Sequence, residues 1–201
     1  MMAIRPPEPS ESDVVSELIL QSDCGLLTEL FGAEVRLLLS HLQSKPSNPY
    51  SSANTVVIAD DASPPSVVGA LVGSRADAAH RSNLHTAALL FGWYGPGVVA
   101  RFVRLARAGR ALEGLEPSDF YLSHIAVLPA HRGRGAGGEL LRAGEERARQ
   151  QGARRLVLDV EENNDRARSF YARMEYRPLS VIRIDLGRRG AFSFLRLNKG
   201  L

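Results

Sequence analysis

Residues 119–178 alternate between strand and helix, and this order constrains the fold more than any other feature of the sequence. Phe120–Val127 is mostly apolar with strand character, and Arg155–Val160 is apolar on both faces, as in a central strand. A glycine-rich loop and a helical segment lie between the two strands. The sequence therefore predicts an α/β fold with a mixed sheet, whose parallel unit lies in residues 120–160.

Two helices flank the second of these strands. The first is predicted over residues 136–151 and ends at Gly152, a residue that is common after helix ends. The second begins at Asn163 or Asn164, whose side chain can cap a helix. Its apolar residues recur at helical spacing: Ala167, Phe170, Tyr171 and Met174.

The remaining segments supply further helices and strands around this unit. Residues 11–43 predict two helices, and residues 75–117 predict a helical insertion in two pieces broken at 92–97. Strands are predicted at Thr55–Ala59, Ser66–Gly73, Leu179–Leu186 and Ala191–Leu197. We expect a single domain over residues 1–201.

The composition is that of a globular protein without disulfide bonds. The chain has 201 residues, of which 44% are hydrophobic and 23% charged, which excludes a wholly disordered chain. Cys24 is the one cysteine, so no internal disulfide forms, and no Cys/His array predicts a metal site. Glycines interrupt the charge-free stretch 82–100, and residues 1–13 lack the apolar region of a signal peptide. We expect a soluble cytoplasmic protein that does not bind membranes.

The charge is unevenly distributed along the chain. Residues 1–100 carry 5 Lys/Arg and 10 Asp/Glu, whereas residues 101–201 carry 20 and 12. A basic half indicates an anionic partner, either a nucleic acid or a phosphate-bearing cofactor. Four arginines recur at helical spacing within the insertion: Arg101, Arg104, Arg107 and Arg110.

The loop between the first strand and its helix, Val127–Gly138, has the chemistry of a phosphate site. Its glycines allow left-handed backbone that turns N–H groups toward one point, and the start of the helix adds unpaired N–H groups. Arg132 and Arg134 can bond phosphate oxygens. No Lys-Ser/Thr follows the glycines, which excludes a Walker loop, and the setting excludes a dinucleotide fingerprint. The plain alternative is a strand-to-helix turn.

This loop resembles the acyl-CoA loop of the GNAT superfamily of N-acetyltransferases. The family pattern [Arg/Gln]-x-x-Gly-x-[Gly/Ala] is met by Arg132, Gly135 and Gly137. Asn164, Ala167 and Tyr171 are similar to a second family motif, and the order of elements also agrees. The resemblance is strong over 119–178, weaker over 1–74 and absent over 75–117.

The resemblance implies a fold, a reaction and a cofactor. It implies a mostly antiparallel sheet with one parallel pair, and it places the helical insertion between the third and fourth strands. It also implies transfer of an acetyl group from acetyl-CoA to a primary amine by direct transfer in a ternary complex. The residues that it assigns to the cofactor are Ile125, Ala126, Val127, Arg132, Gly133, Arg134, Gly135, Ala136, Gly137, Gly138 and Asn164.

Residues for the chemistry are also implied by the resemblance. Tyr171 matches the acid that protonates the leaving thiolate, and the alternative is a tyrosine packed in the core. Asp159 matches a base, although an arginine partner would explain a carboxylate in that apolar strand equally well. Glu161, Glu162 or water are alternative bases, and His124 is a candidate proton relay or a structural residue. Asn164 is either a ligand of the pantetheine arm or a helix cap.

Two departures from the family pattern bear on the site. Glu175 stands where the family usually has a glycine after the tyrosine-bearing helix, so we expect this helix to end differently. The insertion lengthens a connection that is normally short, and we expect its helices to cover the acceptor side or a subunit interface. The apolar segment Ala87–Tyr94 would suit a homodimer contact.

The acceptor is left open by the sequence. A small amine, an aminoglycoside-like molecule and a peptide N-terminus or lysine all remain candidates, and residues 11–45, 75–117 and 187–190 would contact them. Two other functions stay open. One is a non-catalytic acyl-CoA sensor, and the other is an arginine-rich nucleic-acid-binding protein. The nucleic-acid-binding function is disfavoured because the sequence shows no basic stretch in which aromatic residues alternate with the arginines.

Overall fold

A computed structural model of the chain describes residues 2–98, 101, 114–187 and 190–201, and within them a seven-stranded sheet is flanked by helices. The strands pair in the order β1-β2-β3-β4-β5-β7-β6. Of these six pairings, only that of β4 with β5 is parallel. This confirms the predicted mixed, mostly antiparallel sheet. The strands are β1 Ala3–Arg5, β2 Thr55–Ala59, β3 Val67–Arg75, β4 Asp119–Val127, β5 Arg155–Glu161, β6 Arg177–Asp185 and β7 Ala191–Gly200.

Helices pack on both faces of the sheet. One apolar cluster joins β3 to the N-terminal helices, and the second joins it to the helices that follow β4 and β5. No helix in the described part of the chain is long and apolar enough to cross a membrane. The α-helices are α1 Ser12–Ser22, α2 Leu26–Phe31, α3 Val35–Gln43, α4 Ala76–Arg81, α5 Asn83–Tyr94, α6 Ala136–Gln150 and α7 Asp165–Arg173.

The parallel strands β4 and β5 separate halfway along their length. Their pairing runs from Asp119 opposite Arg155 to Leu122 opposite Leu158 and stops there. Beyond this point β4 stays paired with β3, and β5 stays paired with β7. The pairing of β4 with β3 also shifts register between His124 and Leu122, which places a bulge at Ser123. One edge of β4 is therefore free of a strand partner from residue 123 to residue 127.

The N-terminal part differs from the prediction in two ways. The second helix predicted in residues 11–43 is two helices, because Gly32 adopts φ +88° between α2 and α3. The strand β1 was not predicted, since three residues are too few to show a periodicity. It pairs with β2 at the edge of the sheet, with Ile4 opposite Ile58.

The end of α7 also corrects the prediction. Glu175 adopts the left-handed conformation, with φ +68°, although it is not a glycine. The N–H of Tyr176 donates to the carbonyl of Tyr171 and that of Glu175 donates to the carbonyl of Ala172, both at 3.0 Å. These two bonds form a Schellman motif. The helix therefore ends as a glycine-capped helix does, and the prediction of a different end was wrong.

The first predicted piece of the insertion forms two helices, α4 and α5, and α5 continues into the predicted break as far as Tyr94. Leu90 is buried in the cluster that contains α1–α3, and the Tyr94 hydroxyl donates to the carbonyl of Phe31 at 2.7 Å. Part of the segment proposed as a dimer contact is thus packed within the chain, while Phe91 is 55% exposed. Of the predicted second piece, 98–112, only Val98 and Arg101 are described, and Arg104, Arg107 and Arg110 lie outside the described residues.

Candidate active site

A cleft of about 850 Å³ opens where β4 and β5 separate. The unpaired edge of β4 forms its floor from Ser123 to Val127, and Asp159–Glu161 of β5 forms the opposite side. The glycine-rich loop and α7 border one end, whereas the α1–α2 turn and Tyr50 border the other. The cleft thus joins segments that are distant in the sequence, from Gln21 to Phe194.

The loop at one end has the predicted backbone conformation. Gly133 and Gly135 adopt φ +76° and +90°, a conformation that favours glycine, and no atom lies within 4 Å of where their Cβ atoms would be. The N–H groups of residues 133, 134 and 135 donate to none of the described residues. The start of α6 adds N–H groups that have no carbonyl within the helix. An anion therefore has free donors and open space at this point.

The predicted cofactor residues divide into two groups by position. Arg132 borders the cleft, and its Nε donates to the carbonyl of Val127 at 2.8 Å, which holds the guanidinium over the loop. Arg134 is exposed and does not border the cleft, and Ala136 is buried beneath the loop. Those that line the cleft are Ile125, Ala126, Val127, Arg132, Gly133, Gly135 and Asn164; those that do not are Arg134, Ala136, Gly137 and Gly138.

Asn164 caps α7, as one of its two predicted roles requires. Its Oδ1 accepts a hydrogen bond of 3.0 Å from the N–H of Ala167. Among the described residues, none bonds its Nδ2 group, and the side chain borders the cleft. The cap therefore leaves the amide donor free for a ligand.

Tyr171 lies in the cleft with its ring held and its hydroxyl free. The ring packs against Phe170 and Tyr176, at centroid distances of 5.2 and 5.8 Å. The side chain is 7% exposed, and its hydroxyl forms no hydrogen bond with any described residue. Burial raises the pKa of this hydroxyl, so it stays protonated at neutral pH. It is a proton donor that lacks an acceptor.

Asp159, the predicted base, is held by an arginine. Arg196 on β7 is its direct cross-strand partner, and the guanidinium bonds both carboxylate oxygens at 2.8 Å. The Tyr121 hydroxyl donates to Oδ2 at 2.9 Å. The Arg196 and Asp159 side chains are 1% and 8% exposed. The arrangement favours the alternative in which an arginine satisfies this carboxylate, because three donors occupy its oxygens.

The other end of the cleft carries charged residues that the sequence did not bring together. Asp23 borders it from the α1–α2 turn, and its Oδ2 accepts hydrogen bonds from the N–H groups of Gly25 and Leu27 at 2.9 and 3.0 Å. Burial and, to a smaller extent, the charge of Glu161 across the cleft raise the pKa of Asp23 to about 6, although the hydrogen bonds from Leu27 and Gly25 oppose this shift. In the sequence, Asp23 shows only that an aspartate precedes a predicted helix, which is the signal of a helix cap and not of a ligand site.

His124 connects this end to the bulge of β4. The hydroxyl of Ser22 donates to the carbonyl of Ile19 at 2.7 Å, so its oxygen accepts from Nδ1–H of His124 at 3.0 Å. Nε2 is then the unprotonated nitrogen. Burial lowers the pKa of His124 to about 4, so the ring is neutral at neutral pH. The contact fixes the end of α1, and with it Asp23, beside the bulge at Ser123.

Comparison with known proteins agrees with this geometry. The model of the Acetyltransferase (GNAT) family matches residues 57–176, more than half of the chain. The chain belongs to the GNAT family of acetyltransferases. The matched segment contains the loop, both parallel strands and Tyr171. Asp23 and Tyr50, which border the other end of the cleft, lie outside the matched segment.

Two curated relatives share short segments with this GNAT protein. The uncharacterized N-acetyltransferases YobR and YhfO of Bacillus subtilis (strain 168) are 41% and 42% identical over 59 and 57 residues. These matches cover 29% and 28% of the chain, and 24% and 38% of the two relatives. An N-acetyltransferase from Staphylococcus aureus Mu50 has the same fold, with a TM-score of 0.68 and 15% identity over 98% of this chain and 100% of that one.

The raised pKa of Asp23 predicts a pH-dependent stability difference. Since the pKa in the folded state, about 6, exceeds the ordinary value of 3.8, ionisation of Asp23 disfavours the folded state as the pH rises through this range. Asp23→Asn keeps an oxygen for Gly25 and Leu27 and removes the charge. We expect the variant to be about 1–2 kcal/mol more stable than the wild type at pH 8 and nearly equal at pH 4, measured by urea unfolding.

Asp77→Asn is the matched control with the opposite sign. Hydrogen bonds from Arg75 lower the pKa of the Asp77 carboxyl to about 2, so its charge favours folding. This substitution is expected to have its full destabilising effect above about pH 4, and the effect is expected to disappear as the pH falls to about 2. A loss of stability in Asp23→Asn at pH 8 would contradict the assignment of a buried, disfavoured charge.

Proposed function

We propose that this GNAT enzyme transfers the acetyl group of acetyl-CoA to a primary amine by direct transfer in a ternary complex. The observation that carries the proposal is the free hydroxyl of Tyr171, which is buried in a cleft between free N–H donors and an acidic end. A thiolate that departs beside this hydroxyl needs the proton that the hydroxyl can give.

The loop and the separated strands fit acetyl-CoA. The open space above Gly133 and Gly135, the free N–H groups of the loop and Arg132 suit a pyrophosphate. The unpaired edge of β4 would bond the amide groups of the pantetheine arm, with Asn164 Nδ2 as a further donor. Within the described residues, no group of three His, Cys, Asp or Glu side chains is placed to hold a metal ion.

The residues of the cleft divide the chemistry between them. When bound, acetyl-CoA supplies an activated acetyl group as a thioester. The unpaired edge of β4 at Ile125–Val127 lines the cleft, and the N–H groups there that point away from β3 would stabilise negative charge on the thioester oxygen. Tyr171 would donate its hydroxyl proton to the sulfur. Asp23, Glu161 or water would receive the proton of the amine, since Asp159 is occupied by Arg196.

Direct transfer is favoured over a covalent acyl-enzyme. Although Cys24 is far from the motifs in sequence, it borders the cleft, so its sequence distance did not predict its position. Among the described residues, no base lies within hydrogen-bond distance of its thiol, and the Nδ1 of His124 is bonded to Ser22. Cys24→Ala is therefore expected to retain turnover.

The two alternative functions make different predictions for one set of assays. A thiol-release screen of acetyl-CoA against a panel of amines tests the proposal, because transfer frees CoA. A sensor would bind acetyl-CoA without release at any amine. A nucleic-acid-binding protein would show salt-sensitive retention on a nucleic-acid column and no release.

Binding of acetyl-CoA is expected to stabilise the protein. At a concentration of acetyl-CoA a hundred times its Kd, the free energy of unfolding is expected to rise by about 2.7 kcal/mol. For a chain of this size the unfolding midpoint then rises by roughly 5–11 °C. Differential scanning fluorimetry with acetyl-CoA and CoA measures it, and NAD and ATP serve as control ligands. Arg132→Ala is expected to reduce the shift more than Arg134→Ala, because only Arg132 borders the cleft. A shift with NAD or ATP and none with acetyl-CoA would contradict the cofactor.

A further inference from the structure

The charges that border the cleft are separated by sign. Its arginines, Arg132, Arg166 and Arg173, lie on the loop and on α7. Its carboxylates lie on the α1–α2 turn and on β5: Asp23, Asp159 and Glu161. Arg196 neutralises Asp159, so Asp23 and Glu161 account for the negative charge of the acceptor end. A cofactor with phosphates suits the first end, and a cation suits the second.

Asp23 is positioned for the part of the acceptor that reacts. Its Oδ2 is fixed by two backbone N–H groups, while none of the described residues bonds its Oδ1. The preceding residue, Ser22, is bonded to His124, next to the bulge of β4. Asp23 is therefore held close to the part of β4 whose unpaired edge would carry the thioester.

Glu161 lies where the cleft meets a second cavity, which Asp23 does not border. This cavity has a volume of about 460 Å³ and shares Cys24, Glu161 and Phe194 with the cleft. Glu162 and Ser193 border it too, and the Ser193 hydroxyl donates to a Glu162 oxygen at 2.6 Å. Asp23 and Glu161 thus lie at two positions of one continuous space, with Asp23 near the β4 bulge and Glu161 at the second cavity.

A side chain of another element, Tyr171 of α7, borders the same cleft. Tyr171 is 7% exposed, and its hydroxyl opens into the cleft without a partner among the described residues. The hydroxyl therefore keeps hydrogen-bonding capacity that a ligand in the cleft can use. The carboxylates therefore face a space in which a ligand is expected, and not bulk solvent alone.

On the basis of the proposed function, we propose that the acceptor is a small aliphatic diamine, whose reacting amine lies at Asp23 and whose second ammonium lies at Glu161. An acceptor with one amine would leave one of the two carboxylates in the cleft without a counter-charge. A diamine satisfies both carboxylates at once, because each ammonium forms a charge-assisted hydrogen bond.

The reaction balances with these groups. The reacting ammonium first gives one proton to Asp23, which passes it to solvent. The free amine then forms the N–C bond to the acetyl carbon, and the C–S bond of the thioester breaks. Tyr171 gives its proton to the departing sulfur, and the second proton from the nitrogen returns to Tyr171. The products are the N-acetyl diamine, CoA and one proton released to water.

The test compares 1,4-diaminobutane with butylamine, which has the same carbon chain and one amine. At pH 8 the kcat/KM of the wild type is expected to be at least about tenfold higher for the diamine, in line with one ion-assisted hydrogen bond. Glu161→Gln is expected to bring this ratio close to one. Glu146→Gln removes the same charge from the exposed face of α6, far from the cleft, and is expected to keep the wild-type ratio.

Other outcomes separate this inference from the function on which it rests. Equal kcat/KM values for the two amines, or a ratio that Glu161→Gln leaves unchanged, would contradict the proposal that the acceptor is a diamine. Either result would leave the proposed acetyl transfer standing. Faster turnover of a lysine-containing peptide than of either amine would overturn the small acceptor. No CoA release with any amine, despite binding of acetyl-CoA, would overturn the proposed function itself.

Discussion

Tyr171→Phe is expected to lower kcat by about 10²–10⁴ while it leaves the Kd of acetyl-CoA nearly unchanged. The hydroxyl lacks a partner among the described residues, so its removal breaks no hydrogen bond of the fold. The ring contacts with Phe170 and Tyr176 are kept. The substitution therefore removes an interaction made when the thiolate departs, and little that binds the ground state. Steady-state kinetics and equilibrium binding of acetyl-CoA measure the two effects separately.

Tyr176→Phe is the matched control for this experiment. Tyr176 is also buried, but its hydroxyl donates to Glu145 at 3.1 Å and does not border the cleft. Its loss is expected to destabilise the fold by about 1 kcal/mol and to change kcat less than threefold. If Tyr171→Phe behaved like this control, solvent or another residue would supply the proton, and Tyr171 would be a packing residue.

The loop and its helix could be predicted because their signal is local. Gly133 and Gly135 have the left-handed backbone that their sequence position indicates, and the helix that follows begins one residue later. The cap at Asn164 and the helical spacing up to Tyr171 are equally local. Such features need only a few neighbouring residues, so the sequence is sufficient to place them.

The acceptor end could not be predicted because its parts come from separate elements. Asp23, Tyr50, His124 and Glu161 meet only after α1 has packed against the sheet and β4 has separated from β5. The bulge at Ser123 is a register shift between β3 and β4, so its position depends on the partner strand as well as on β4. Sequence spacing carries no information on such contacts.

The partner of Asp159 illustrates the same limit. An arginine was one of two explanations for this carboxylate, but 23 arginines compete for that role in the sequence. The antiparallel pairing of β5 with β7 places Arg196 directly opposite, 37 residues away along the chain. The choice between a base and an ion pair therefore depends on the register of a strand pair.

Breaking this ion pair is expected to be the most destabilising single change in the site. Arg196→Met leaves the Asp159 carboxylate buried without its counter-charge, which costs about 3–5 kcal/mol, or roughly 6–20 °C in the unfolding midpoint. If this variant does not fold, Arg196→Lys keeps the charge but loses the two-pronged contact and gives a smaller loss. Arg81→Met, which breaks an exposed pair with Asp77, is the control and is expected to cost less than about 1 kcal/mol.

Asp159→Asn distinguishes a structural carboxylate from a base. In the double variant Asp159→Asn/Arg196→Met, the loss of stability is expected to be smaller than the sum of the single losses, because neither partner is left charged and alone. If the ion pair is the main role of Asp159, the activity of Asp159→Asn falls with its stability and does not recover as the pH rises. A base would act differently, since deprotonated amine becomes abundant at high pH and replaces it. Recovery of kcat/KM above pH 9 in Asp159→Asn would return Asp159 to the role of base.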